Sequence, residues 1–171
     1  MMNTLRLCFA VSIALAIFAL NPVIAADATA PDFTLKDTDG NKVKLSEVLE
    51  SNNLIMIDFW FVGCKPCGEF MEFFDTWEDE FAGKGFKIFA INTDPQQVAG
   101  KVKPFIDGRS FEFTVLLDPT GEIKKRFQVK AEPTTFLINA DREIVYRHQG
   151  YKKGVEEEVH QAIVDHLPST P

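Results

Sequence analysis

Cysteine and histidine are scarce in this chain of 171 residues, which has three of each. Cys8 lies near the N-terminus, so Cys64 and Cys67 are the only cysteines in the body of the chain. Two cysteines are too few to build a disulfide-rich scaffold. A structural zinc site needs four ligands, of which one CxxC pair supplies two, and the three histidines, His148, His160 and His166, lie far along the chain. Covalent haem attachment needs the sequence CxxCH, and Gly68 stands where that histidine would be.

Basic residues are in the minority, with 18 Lys and Arg against 25 Asp and Glu, and the formal net charge is −7. The sequence has no basic stripe, so we do not expect nucleic acid as a partner. Apolar residues make up 46% of the chain and include 16 phenylalanines, enough for a full core without disulfide staples. We therefore expect one globular domain over residues 27–171, and we take it to be a monomer.

The longest apolar run that lacks any charge is short and lies at the N-terminus, over residues 7–20. Arg6 precedes it, residues 21–22 (Asn-Pro) break it, and two alanines close the segment at residues 25–26. A basic start, a short apolar stretch and a small-residue exit are typical of a secretory signal peptide, here residues 1–26. We therefore expect an exported, periplasmic protein. An uncleaved membrane anchor is the alternative, although the run is short for a membrane span.

The next long apolar run, residues 54–61, indicates a buried strand. It shows no alternation of polar and apolar residues, which is typical of a strand that is covered on both faces of an α/β sheet. From about Pro66 as far as Phe81 the apolar residues recur at helical spacing, which predicts one continuous helix.

Other local patterns predict further helices and strands. Ser46 is expected to cap a short helix, and Asp94 to cap another that ends at Gly108. The remaining predictions are a hairpin around residues 39–40, strands at 86–92 and 111–118, a short helix within 119–129, a hairpin at 134–150 and a last helix at 154–167. This order of elements predicts an α/β sandwich around a mixed β-sheet.

The CxxC pair lies where the buried strand ends and the helix begins. Cys64 falls at the first turn, where free backbone N–H groups and the helix dipole stabilise a thiolate. Lys65 adds a positive charge, so both effects lower the thiol pKa from its ordinary value of about 8.5. Cys67 lies one turn further along and is expected to be shielded. An exposed, activated sulfur beside a shielded one is what thiol–disulfide exchange requires, so we interpret the pair as a redox couple that Lys65 and Pro66 tune.

Asp58 interrupts the apolar run at residues 54–61. An unpaired carboxylate inside such a strand would be costly. Buried acids with shifted pKa values cluster at functional sites, so Asp58 is a candidate catalytic residue. The alternative is a side chain that turns toward the strand end and solvent.

Two segments together resemble the thioredoxin superfamily: LIMIDFWFVGCKPC at residues 54–67 and EPTTFLIN at residues 132–139. The opening APDFTLKDTDGNKVKLSEVL and the helix–strand unit around residues 94–117 are similar to the exported TlpA/ResA-like thiol–disulfide oxidoreductases. The resemblance implies a thioredoxin-like three-layer sandwich: a central mixed β-sheet flanked by helices, with an N-terminal β-hairpin and a helix–strand insertion.

The resemblance also implies residue roles. Cys64 would attack the substrate disulfide, and Cys67 would resolve the mixed disulfide. Pro133 would be the cis-proline that faces the cysteines, and Asp58 would help to move the proton of the resolving thiol. Within the two motifs, Trp60 and Thr134 are candidate substrate-binding residues.

Three features depart from the family pattern. Gly63 replaces the tryptophan that usually precedes the first cysteine, and the dipeptide between the cysteines is Lys65-Pro66 instead of Gly-Pro. Glu132 stands before Pro133, where an apolar or small residue is more usual. If Pro133 opposes the disulfide, the Glu132 carboxylate is expected to disfavour a thiolate and to make the pair a better reductant.

The function that follows is an exported thiol–disulfide oxidoreductase that reduces protein disulfides, as in cytochrome c maturation or the repair of oxidised cysteines. No cofactor beyond the cysteine pair is expected, and a membrane-linked donor would return the pair to its reduced form. One alternative is an oxidant that introduces disulfides. The other is a non-catalytic module that uses the pair as a staple or sensor.

Overall fold

The computed structural model describes residues 29–168. The predicted signal peptide, residues 1–26, lies outside this range. Seven strands of the described part of the chain form one sheet, in the order β2-β1-β5-β4-β3-β6-β7. The strands are β1 (Thr34–Asp37), β2 (Lys42–Lys44), β3 (Leu54–Trp60), β4 (Phe86–Asn92), β5 (Thr114–Leu117), β6 (Thr134–Asn139) and β7 (Ile144–Gln149). The sheet is mixed as predicted: β3, β4 and β5 are parallel, whereas the pairs β1–β2, β1–β5, β3–β6 and β6–β7 are antiparallel.

Within residues 29–168, six α-helices cover the two faces of the sheet. They are α1 (Leu45–Leu49), α2 (Lys65–Met71), α3 (Phe74–Phe81), α4 (Val102–Asp107), α5 (Glu122–Arg126) and α6 (Val155–His166), with 3₁₀ turns at Ala82–Lys84 and Ala99–Lys101. Among residues 29–168, no helix is long and apolar enough to cross a membrane. The three layers and the N-terminal β1–β2 hairpin confirm the predicted fold.

The central strand β3 is buried along its whole length, and its side chains alternate between two cores. Met56 and Trp60 belong to the core formed with α2, α3, α4 and α6, which also contains both cysteines. Ile55 and Ile57 belong to the core formed with α1 and α5. Asp58 has the parity of Met56 and Trp60, so its side chain is directed to the face that carries the cysteines.

The single helix predicted from Pro66 to Phe81 is interrupted at residues 72–73. The Phe73 N–H donates to Phe70 O at 3.3 Å instead of continuing the i−4 ladder. Both residues keep right-handed helical backbone angles, at φ/ψ of −61/−16° and −94/−16°. The buried apolar stripe therefore continues from α2 into α3, as the spacing predicted.

Two predicted helix caps are wrong. Helix α1 begins at Leu45 without a side-chain cap, and the Ser46 amide donates to the Asp32 carboxylate at 3.0 Å. Asp94 does not cap α4, since a 3₁₀ turn and then the helix begin several residues later. Its carboxylate instead accepts a hydrogen bond from the Val62 amide at 2.7 Å, which anchors the loop before the cysteines. Gly108 ends α4 as predicted.

Candidate active site

Cys64 and Cys67 form a disulfide at the junction of β3 and α2, with Cα atoms 5.3 Å apart. Cys64 is the N-cap of α2, and its sulfur accepts a hydrogen bond from the Cys67 amide at 3.3 Å. Pro66 occupies the first turn, where a missing N–H costs nothing. Gly63 has φ +95°, a conformation that a tryptophan would adopt only with strain, which gives a physical reason for the departure at this position.

The two cysteines differ in burial, but less than predicted. Cys67 has no exposed surface and Cys64 is 7% exposed. The expectation of an exposed Cys64 sulfur is thus wrong for the disulfide form, in which that sulfur is drawn to a partner inside the core. Lys65 is 87% exposed and pairs with Glu69 at 3.7 Å, so solvent and an opposite charge weaken its effect on the thiol.

The disulfide lies at one edge of the sheet, where three segments meet. Strands β3 and β4 end there and β6 begins, because β3 is parallel to β4 and antiparallel to β6. The Glu132–Pro133 peptide that precedes β6 is cis, as the resemblance implies. Pro133 is buried, and its carbonyl accepts a hydrogen bond from Gly150 at 2.7 Å.

Asp58 has no exposed surface, which rules out the alternative of a side chain turned to solvent. Its Oδ1 accepts a hydrogen bond from the Thr135 hydroxyl at 2.8 Å, in register across β3 and β6. Its Oδ2 is buried without a hydrogen-bond partner. Burial raises the pKa of Asp58 to about 8, with a smaller upward contribution from the negative charge of Glu132, against the lowering effect of the Thr135 bond. Asp58 can therefore take up or release a proton near neutral pH.

Glu132 is not the exposed loop glutamate that its sequence position allows. Its side chain is only 7% exposed and forms an ion pair with Lys124 of α5. The hydroxyl of Thr93 also lies 3.0 Å from Glu132 Oε1. Thr93 is distant in sequence from both motifs and Lys124 lies outside them, in α5, and no local pattern marks either residue.

Arg109 is a second cation that sequence reasoning missed. A Cβ atom placed on Gly68 would lie 3.4 Å from Arg109 Nη2, so the guanidinium rests on α2 one residue after Cys67. Arg109 also pairs with Glu72 at 2.8 Å and stacks on Phe105 at 4.8 Å from the ring centroid. The absence of a side chain at Gly68 leaves room for this charge beside the cysteines.

The predicted substrate contacts of Trp60 and Thr134 are not supported, because neither residue has exposed surface. The Trp60 ring packs on Phe105 with centroids 5.2 Å apart. The Thr134 hydroxyl donates to Ala131 O at 2.5 Å. Both side chains therefore contribute to the buried packing of the site and not to its surface. Phe61, next to Trp60 along the chain, is 39% exposed and is available for contact.

The arrangement suits two-electron exchange between a disulfide and a dithiol. It combines an outer sulfur, an inner sulfur and a buried acid on the same face of the sheet. Within the described part of the chain, no three His, Cys, Asp or Glu side chains cluster as a metal ion would require.

Comparison with known proteins identifies the family. Residues 26–147 match the AhpC/TSA family. The chain belongs to this family. It is also similar to curated proteins named thiol–disulfide oxidoreductase ResA. The Bacillus subtilis protein is 30% identical over 130 residues, covering 76% of this chain and 70% of that protein. The Oceanobacillus iheyensis protein is 33% identical over 134 residues, covering 76% and 68%.

A solved structure agrees with the assignment of this chain to the AhpC/TSA family. A Chlorobium tepidum protein described as a candidate thiol:disulfide interchange protein DsbE is 31% identical, with a TM-score of 0.75. The match covers 82% of this chain and 96% of that protein. The thioredoxin-like fold and the resemblance predicted from the two motifs are confirmed. The chain is a thiol–disulfide oxidoreductase, and Cys64 and Cys67 form the disulfide of its CxxC motif.

Proposed function

We propose that the protein is an exported reductant of protein disulfides. Cys64 attacks the substrate disulfide, and Cys67, once deprotonated, attacks Cys64 and releases the reduced substrate. The cysteine pair is the only redox centre in this proposal. The observation that supports reduction of the substrate is the buried acid Asp58. Its side chain is directed to the cysteine face of the sheet, and its pKa is near 8. An acid there can accept the Cys67 proton, and when ionised it disfavours a second anion.

The charges around Cys64 also favour reduction. A strong oxidant needs a reduced form that is stabilised by a very low thiol pKa. Lys65 is almost fully exposed, and its charge is partly offset by Glu69. A weakened Lys65 charge stabilises a thiolate less, which favours transfer of electrons from the dithiol to a substrate.

The cellular setting is part of the proposal. The pattern of residues 1–26 supports export to a periplasmic space, and an uncleaved anchor would still place the domain outside the cytoplasm. In that compartment a reductant must be regenerated by a membrane-linked donor. The resemblance to TlpA/ResA-like oxidoreductases supports a protein disulfide as the substrate, such as one that is reduced during cytochrome c maturation. Among residues 29–168 the large apolar side chains that are exposed, Phe61 and Val164, are isolated, which favours a monomer.

Insulin reduction with a dithiol donor tests catalysis, and equilibration with glutathione tests direction. We expect turnover that is lost in the Cys64→Ser variant, and a midpoint potential well below that of a disulfide-introducing oxidant, which is about −120 mV. A potential near that value would establish the oxidant alternative. Absence of turnover with an intact, reducible disulfide would favour a sensor or binding module. N-terminal sequencing of the protein from the periplasm tests cleavage near residue 26.

A further inference from the structure

The Lys124–Glu132 ion pair joins α5 to the loop that carries the cis-proline. Glu132 is 7% exposed and Lys124 is 31% exposed, so the carboxylate is inside and the ammonium faces outward. A carboxylate with so little solvent contact is stabilised by a charged or hydrogen-bonding partner. The first turn of α5 is fixed in turn by buried Asp118, whose carboxylate accepts from the Lys124 amide at 2.8 Å. The position of Lys124 is therefore built into the fold.

Glu132 is connected to the active-site strand through Thr93. The Thr93 hydroxyl lies 3.0 Å from Glu132 Oε1 and 3.1 Å from the carbonyl oxygen of Trp60, the last residue of β3. The Thr93 amide donates to the same carbonyl at 2.8 Å. This contact holds Glu132 at the end of the strand that contains Asp58.

Asp58 and Glu132 act on each other as like charges. Asp58 Oδ2 is buried and has no partner, so its ionised form is sensitive to any nearby charge. The charge of Glu132 is among the causes of the raised pKa of Asp58. In the salt bridges of residues 29–168, Lys124 is the one cation that contacts either carboxylate.

We propose that Lys124 is a positioning residue for proton transfer: acting through Glu132, it sets the pH range in which Asp58 can accept the proton of Cys67. The inference rests on the role proposed above for Asp58. In that step the Cys67 thiol gives its proton to the Asp58 carboxylate, and the thiolate attacks Cys64 in the mixed disulfide. The Cys64–Cys67 bond forms, the bond from Cys64 to the substrate sulfur breaks, and the substrate thiolate leaves and takes a proton from water.

The test compares Lys124→Met with Lys125→Met. Lys125 is the next residue of α5 and is exposed, so its substitution controls for loss of net charge. Infrared titration follows the protonated carboxyl band that Asp58→Asn removes. We expect Lys124→Met to move the titration midpoint of Asp58 to higher pH by roughly 0.5 to 1 unit, the effect of one partly screened charge. Substrate release at pH 7 should slow by roughly three- to tenfold, since fewer Asp58 side chains are ionised.

Two further variants test whether Lys124 acts on Asp58 through Glu132. Lys124→Arg should restore the midpoint, because it keeps the charge. In a Glu132→Gln background, Lys124→Met should shift the midpoint much less than in the wild type, because the group through which it acts is neutral. Thermal unfolding of each variant reports any loss of the fold.

Three results would overturn the inference. They are a shift no larger than that of Lys125→Met, a shift of full size in the Glu132→Gln background, or no rescue by arginine. Failure of the role of Asp58 is distinguishable, because Asp58→Asn would then leave the pH profile of release unchanged even if Lys124→Met moved the carboxyl band.

Discussion

The Asp58→Asn substitution is expected to stabilise the protein, and the gain should depend on pH. Asp58 lies with no exposed surface among apolar residues of β3, with one carboxylate oxygen unpaired. Its pKa is raised from 3.8 to about 8 in the folded protein. Between these values the folded protein holds a proton that the unfolded chain has released. Stability therefore falls as pH rises through this window, and above pH 8 it changes no further.

The size of the effect follows from the shift. Each pH unit between the unfolded and folded pKa values is worth about 1.4 kcal/mol. From pH 4 to pH 7 the free energy of unfolding of the wild type should fall by ~4 kcal/mol relative to an asparagine variant, which has no charge to desolvate. By pH 9 this fall should reach roughly 5 to 6 kcal/mol. Asparagine must still be buried with an amide in place, so the absolute gain is smaller than this change with pH.

Urea unfolding of the oxidised protein at pH 4, 7 and 9 measures this difference. The matched control is Asp79→Asn, which removes an exposed carboxylate on α3. Comparison at each pH cancels the titration of all other groups. A difference between Asp58→Asn and the wild type that stays constant from pH 4 to pH 9 would refute the argument, because it would mean that Asp58 has the same pKa in both states.

Three further predictions concern the cysteines and the charges around them. Cys67→Ser should trap mixed disulfides with substrate proteins on diagonal gels, whereas Cys64→Ser should not, because Cys64 alone of the pair has exposed surface; the reverse pattern would make Cys67 the nucleophile. Arg109→Gln should move the midpoint potential in the reducing direction by at most ~20 mV, since a half-exposed guanidinium beside α2 contributes up to about 1 kcal/mol to a thiolate. An unchanged potential would limit Arg109 to packing. Glu132→Gln should move the potential in the oxidising direction by less than ~30 mV, because the paired Lys124 offsets its charge; a larger shift would show that this offset is absent.

The features of the fold that the sequence predicted are those set by local patterns. The apolar run at residues 54–61 predicted the buried central strand, and the apolar stripe from Pro66 predicted the buried face of α2 and α3. The helix caps were predicted less well, because tertiary contacts decide which side chain bonds to the free amides at a helix end. Asp32, which is distant in sequence, occupies the amide of Ser46, and Asp94 is used by the loop before the cysteines.

The residues of the site also divide into those that local motifs predicted and those that they did not. The cysteines, the cis-proline and Asp58 belong to contiguous motifs and could be predicted. Lys124, Thr93 and Arg109 could not be, because separate segments bring them to the edge of the sheet and each is an ordinary residue in its own segment. Lys124 also changes the argument for Glu132, whose charge was predicted to act on the cysteines without a partner.

The central claim is that Cys64 and Cys67 are a working redox couple, and a redox titration tests it most directly. The protein lacking residues 1–26 is equilibrated over a series of thiol-to-disulfide ratios of glutathione and then of the stronger reductant dithiothreitol, its thiols are alkylated, and the mass of the intact chain is measured. We predict a single two-electron transition in which the unmodified and doubly alkylated forms interconvert, with the bridge mapped to these two residues. Two free thiols at every ratio, or a bridge that no ratio reduces, would contradict the assignment.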